Sequence, residues 1–268
     1  MSACQVGYFC INSTTGQCGR LRDAVHLQKK RKALKKLMVF FVLLSLTSLG
    51  WAESKRETPT ERLDVAGKVL RNIMATPATG IAGEVLNRAK CIAVVPHMLE
   101  GGFIVGAESG SGVATCRIAA GWSAPVFFTV RGGSVGLQLG AEGVDMVMIF
   151  QNDKGMERLL SSKFELGADA SAAAGPVGGE VSEDTDWKLK TDILTYSYAR
   201  GAFAGLTLTG ASIRRDDDSM RAFYGKQANS RSVLLGEIAT PDGARPFLTA
   251  VRDTMAEAKA QSETQAVK

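Results

Sequence analysis

Residues 91–150 constrain this chain more than any other stretch: the apolar runs CIAVVP, FIVGA, VATC, WSAPVFFTV and VDMVMIF are separated by clusters of glycine. Runs of four to eight apolar and β-branched residues bounded by Gly and Pro read as strands, and close glycine punctuation reads as tight connections. An antiparallel, Gly-rich β core follows. A short phrase recurs within and after it, Val105-Gly106-Ala107-Glu108, Leu139-Gly140-Ala141-Glu142 and Leu166-Gly167-Ala168-Asp169. Glycine inside strands weakens them, so the phrase marks places where strands bend or backbones come close. Neither G-x-x-x-x-G-K-[ST] nor a strand-G-x-G-x-x-G-helix unit is present, which leaves no phosphate-cradling loop.

The segments around this core are helical. Thr58-Pro59-Thr60-Glu61 has the form of a capping box with proline at the first helical position. Leu63, Ala66, Leu70, Ile73 and Met74 then recur at helical spacing, with Val69 at the margin and Asp64, Lys68 and Arg71 facing away. A second short helix carries Ile81, Val85, Leu86 and Ala89. Further helices are expected near 152–162, 217–224 and 246–258, with strands near 192–198 and 203–213. The fold class is α+β: a sandwich or barrel-like antiparallel core covered by N-terminal amphipathic helices and a C-terminal helix. The helices cover a sheet face, or one of them lies on a membrane surface.

Ahead of this stands a different composition. Lys29, Lys30, Arg31, Lys32, Lys35 and Lys36 precede an apolar run at 37–49 and a small-x-small site ending at Ala52, the pattern of a secretory signal peptide. The run is too short to span about 30 Å of hydrocarbon unaided. The expected organisation is a leader at 1–52, a single domain at 53–240, and a C-terminal helix with a polar tail at 241–268. Removing the leader takes eight of the 32 cations and one of the 27 acids, leaving 24 against 26, a net charge of −2. The basicity belongs to the leader, and a global nucleic-acid footprint is not supported. The product is expected to be exported, periplasmic or secreted, and peripherally membrane-associated. Cys91 and Cys116 remain after the leader; they pair across neighbouring strands or stay as buried thiols.

Motifs for chemistry are weak. Gly132-Gly133-Ser134-Val135-Gly136 matches G-x-S-x-G, but no histidine follows Ser134, and the segment reads as a hairpin turn. His97 has no partner at metal-ligand spacing and reads as a turn residue. Asp216, Asp217 and Asp218 lack the rest of a calcium loop and read as the cap of the following helix. No catalytic residue, metal site or cofactor is expected.

Lys90–Pro96, Gly101-Gly102-Phe103, Trp122-Ser123-Ala124-Pro125, and the blocks 132–150, 161–178 and 199–213 together resemble the SYLF domain, also called the Ysc84 actin-binding domain. The similarity spans roughly residues 63–236. It implies a non-enzymatic protein that binds phosphoinositides or other anionic lipids, with actin as a partner of eukaryotic relatives. An export signal makes actin an improbable partner here, and Glu100 stands where a basic residue often precedes Gly-Gly-Phe. The alternative is an envelope protein whose β core is an interaction platform without a lipid ligand. Candidate lipid-binding cations are Lys68, Arg71, Arg88 and Lys90 near the apolar helices, with Lys163 as an outlier.

Overall fold

The computed structural model describes residues 57–75, 80–102, 105–135, 140–176, 191–199, 202–204, 210–225 and 228–266. The expected leader at 1–52 and its cleavage site lie outside them, as do parts of the glycine-alanine run after 176 and of the strand expected at 203–213.

Helix α1, Pro59–Met74, begins as the capping box requires: Glu61 N–H donates to the Thr58 hydroxyl and Thr58 N–H donates to Glu61 Oε2. It buries Leu63, Ala66, Leu70, Ile73 and Met74, and also Val69 and Gly67. That wider buried stripe exists because α6, Arg245–Ala266, packs along it through Phe247 and Ala250. The C-terminal helix is thus longer than its apolar spacing predicts. Between α1 and the sheet entry lies α2, Gly83–Arg88, packed on the same helix.

Ten strands of the described residues form one sheet, curled into a half-barrel: β1 (Cys91–Gly102), β2 (Val105–Ile118), β3 (Gly121–Trp122), β4 (Val126–Val135), β5 (Gly140–Phe150), β6 (Lys163–Glu165), β7 (Ala172–Ala174), β8 (Ile193–Ala199), β9 (Ala202–Ala204) and β10 (Ser212–Arg215). Their order is β6-β10-β4-β2-β1-β5-β8-β7, with β3 on β2 and β9 on β8. All pairings are antiparallel except β7 with β8. β4 and β5 therefore do not form a hairpin; β2 and β1 lie between them.

This corrects the turn expected at residues 132–136. Gly132, Gly133, Ser134 and Val135 continue β4, with Ser134 opposite Gly106. Gly132 is needed for close approach, not for turning: a Cβ there would stand 3.0 Å from Glu108 Oε2 and 3.2 Å from the Ala211 side chain. His97 is likewise no turn residue. It sits in a bulge within β1 at φ 47°, and its N–H donates to Asp145 Oδ1 at 2.9 Å. The Leu166-Gly167-Ala168-Asp169 phrase closes the sheet's β6 edge, since the Asp169 carboxylate accepts the Glu165 N–H at 2.8 Å.

Three short helices close over the sheet: α3 (Asp153–Leu160), α4 (Asp217–Tyr224) and α5 (Ser230–Leu234). Asp216 caps α4, as its position suggests, by accepting the Ser219 N–H at 3.0 Å. Asp192 stitches α3, β7 and β8 together. Its carboxylate accepts from Asn152 Nδ2, Lys154 Nζ, and both the N–H and hydroxyl of Ser171. Burial would raise its pKa, but those donors outweigh burial and hold it at about 2.

Candidate functional site

The site grows out of the covalent join between β1 and β2. Cys91 and Cys116 lie directly opposite in the antiparallel register and are bonded to each other. One residue outward, Arg117 N–H donates to the Lys90 carbonyl at 2.7 Å, and the Arg117 side chain reaches back through Nε to the Ala89 carbonyl at 3.2 Å. That fixes the guanidinium, which stacks on the Trp122 ring with its carbon 4.9 Å from the centroid.

Trp122 is held from the other side. β2 and β3 turn through Ala119, Ala120 and Gly121, all exposed, with Gly121 at φ 117°, a conformation that favours glycine. Beyond Trp122 the chain is anchored by buried polar contacts: Thr115 Oγ1 donates to the Ser123 carbonyl at 2.7 Å, and Cys116 N–H donates to Ser123 Oγ at 3.1 Å. The Tyr224 hydroxyl donates to the Pro125 carbonyl at 2.5 Å.

Apolar surface borders the hairpin. Ile118 packs against Gly236, where a Cβ would meet its Cδ1 at 2.7 Å, and the preceding Leu235 is 42% exposed. The tip therefore combines an indole, small exposed residues, a bare leucine and the cations Arg117, Lys90 and, at the end of α2, Arg88.

Of the five cations singled out in the sequence, the structure brings Arg88 and Lys90 to this tip and leaves the others elsewhere. Lys68 and Arg71 lie on the exposed flank of α1, and Lys163 lies on β6, four strands away from β1. Lys68 pairs with Asp64 at 2.8 Å, Arg88 with Glu84 at 2.8 Å and Lys90 with Asp153 at 3.1 Å, all exposed contacts of little strength. Arg117 and Leu235 belong to none of the motifs named from the sequence, and Trp122 entered only within an apolar run and the block that carries the resemblance. The available signal was the tryptophan directly after a glycine at the end of a strand.

Among the described residues no group of three or more His, Cys, Asp or Glu side chains could hold a metal ion, and no helix is long and apolar enough to cross a membrane.

Residues 131–254 match the family described as Ysc84, Las17-binding protein actin regulator. Those residues belong to the Ysc84 family. The SH3 domain-containing YSC84-like protein 1 of Bos taurus is 31% identical over 183 residues, 66% of this chain and 53% of that protein. Protein YSC84 of Saccharomyces cerevisiae is 31% identical over 192 residues, 68% of this chain and 41% of its own. LAS seventeen-binding protein 3 from the same species is 31% identical over 171 residues, covering 62% and 37% respectively. The chain spans about half the length, or less, of these Ysc84 relatives. Arg88, Lys90, Arg117 and Trp122 lie upstream of the residues that match the family, whereas Leu235 and Lys163 lie within them.

Proposed function

We propose that this chain is a non-enzymatic, exported domain that binds anionic membrane surfaces, phosphoinositides or other anionic lipids, through the β2–β3 hairpin tip. The observation that carries the reading is the Arg117–Trp122 stack at the tip, with Arg88 and Lys90 beside it and Leu235 exposed next to it. Tryptophan favours the headgroup level, where its ring meets acyl chains and its N–H stays wet. Each cation held near an anionic surface contributes about 1 kcal/mol, and three of them give a reversible, salt-sensitive attachment. A disulfide in the core fits an oxidising compartment, which supports export. N-terminal sequencing of the exported product should begin at Glu53.

Co-sedimentation with vesicles tests the membrane reading. The protein should pellet with anionic vesicles, remain in solution with neutral ones, and lose binding when Arg117→Gln and Trp122→Ala are combined. Equal pelleting with both lipids, or full binding by the double variant, would overturn it.

The match to a family described as Las17-binding actin regulators favours a second reading, a protein-interaction module. Under that reading anionic vesicles would not pellet the protein at all.

A further inference from the structure

On the exposed face of β4, β10 and β6 three cations stand together without ion-pair partners among the described residues. β10 pairs with β4 and β6 so that Arg214 lies opposite Thr129 on one side and Lys163 on the other, while Ser212 lies opposite Arg131 and Glu165. Lys163, Arg131 and Arg214 are exposed, whereas the alternate residues Phe164, Val130 and Ile213 are buried, so the three cations share the outer face. Side chains directly opposite on neighbouring strands have Cβ atoms about 5 Å apart, and like charges placed so are destabilising. Among the described residues none of the three has an ion-pair partner. Arg215, the next residue along β10, pairs with Asp217.

Two further features mark the place. Ser212, in the row between Glu165 and Arg131, has a buried hydroxyl without a hydrogen-bond partner. Thr129 and Ser111 extend the Lys163–Arg214 row with two more hydroxyls. In these rows Glu165 is the one carboxylate, diagonal to Arg214, and it leaves the cations in excess. Strand pairing places these side chains side by side, where a compact anion between them would offset their repulsion.

We propose that this face is an oxyanion site, separate from the hairpin tip, for a doubly charged phosphate: inorganic phosphate or the phosphomonoester of a headgroup. Arg214 and Lys163 grip the anion from adjacent strands, Arg131 closes it from the diagonal position, and the Thr129 hydroxyl donates to a remaining oxygen. The bridge needs two charges on one small group, so a phosphodiester serves it poorly.

Titration of the isotope-labelled protein with inorganic phosphate at pH 7.5, followed by amide chemical shifts, tests this. Saturable shifts are expected at Lys163, Ser212 and Arg214. The variant combining Arg131→Gln, Lys163→Gln and Arg214→Gln should bind phosphate at least about tenfold more weakly, while Lys163→Arg should retain binding. Arg117→Gln should leave phosphate binding unchanged, so failure here is distinct from failure of the membrane reading. In the lipid arm, selective loss of pelleting with phosphatidic acid vesicles, but not phosphatidylglycerol vesicles, in the triple variant assigns the site to a headgroup. Phosphate binding lost without any change in pelleting assigns it to free phosphate. Shifts that chloride reproduces at equal ionic strength, or undiminished phosphate affinity in the folded triple variant, would overturn the proposal.

Discussion

Arg62 Nη1 lies 3.0 Å from Asp216 Oδ2, joining the first turn of α1 to the cap of α4 across 154 residues of chain. The guanidinium is nearly covered, with its carbon 5.7 Å from the Phe127 centroid and its Nε bonded to Glu57 at 3.2 Å. Asp216 is therefore both a helix cap and half of a covered ion pair. Burial would raise its pKa, but its bonds to Ser219 and the charge of Arg62 outweigh burial and hold it below the ordinary 3.8.

A first prediction follows from that contact. Asp216→Asn keeps most of the cap geometry but leaves the covered guanidinium with Glu57 as its one carboxylate among the described residues, so urea denaturation at pH 7 should show a loss of about 2 kcal/mol. Because the folded pKa is depressed, the stabilisation is present above the unfolded value and lost as pH falls through the folded one. As pH falls below the ordinary 3.8 the gap between variant and wild type should narrow. A gap that stays constant down to acid pH would show that Asp216 acts as a cap alone.

Glu108 predicts the opposite dependence. It is 6% exposed, and burial pushes its pKa above the ordinary 4.5. A raised carboxylate pKa means that stability is full below the unfolded value and declines as pH rises through the folded one. Glu108→Gln should thus raise the urea midpoint at pH 8 and leave it nearly unchanged at pH 4. Destabilisation at pH 8 would reveal a cation bound to the carboxylate.

The Cys91–Cys116 bond closes a loop with a sequence separation of 25, and chain-entropy arguments assign such a closure about 3 kcal/mol. Replacing both cysteines by alanine should lower the denaturation midpoint accordingly. It should also weaken anionic vesicle binding, because the bond lies next to the Lys90–Arg117 contact that shapes the tip. Intact-mass measurement without reductant that finds two free thiols would contradict the bond directly.

For the cations, position should matter more than number. Combining Arg88→Gln, Lys90→Gln and Arg117→Gln removes about 3 kcal/mol of surface attraction, roughly a 100-fold loss in vesicle affinity. Combining Lys68→Gln and Arg71→Gln should have a much smaller effect, with thermal stability nearly unchanged in both variants. Equal losses from the two sets would place the contact on α1 instead.

Local patterns in the sequence determined the elements themselves. The capping box at Thr58, the apolar spacing of α1, the cap at Asp216 and the strands bounded by glycine are read over a few residues, where backbone and burial preferences act directly. Which strand lies beside which was not readable that way. Ser134 looked like a turn because two glycines precede it, yet it pairs with Gly106 within β4, and Gly132, two residues earlier, leaves room for Glu108 and Ala211. Arg88 and Lys90 stood out in the sequence because they cluster along the chain; Arg117 and Trp122 did not, since the β1–β2 register and the Cys91–Cys116 bond bring them alongside. Lys163 looked isolated for the same reason: Arg214 and Arg131, its neighbours in the sheet, are distant along the chain. Pairing across a sheet is decided by burial and backbone hydrogen bonding summed over the whole fold, so the grouping of charges on its surface is a property of the tertiary structure alone.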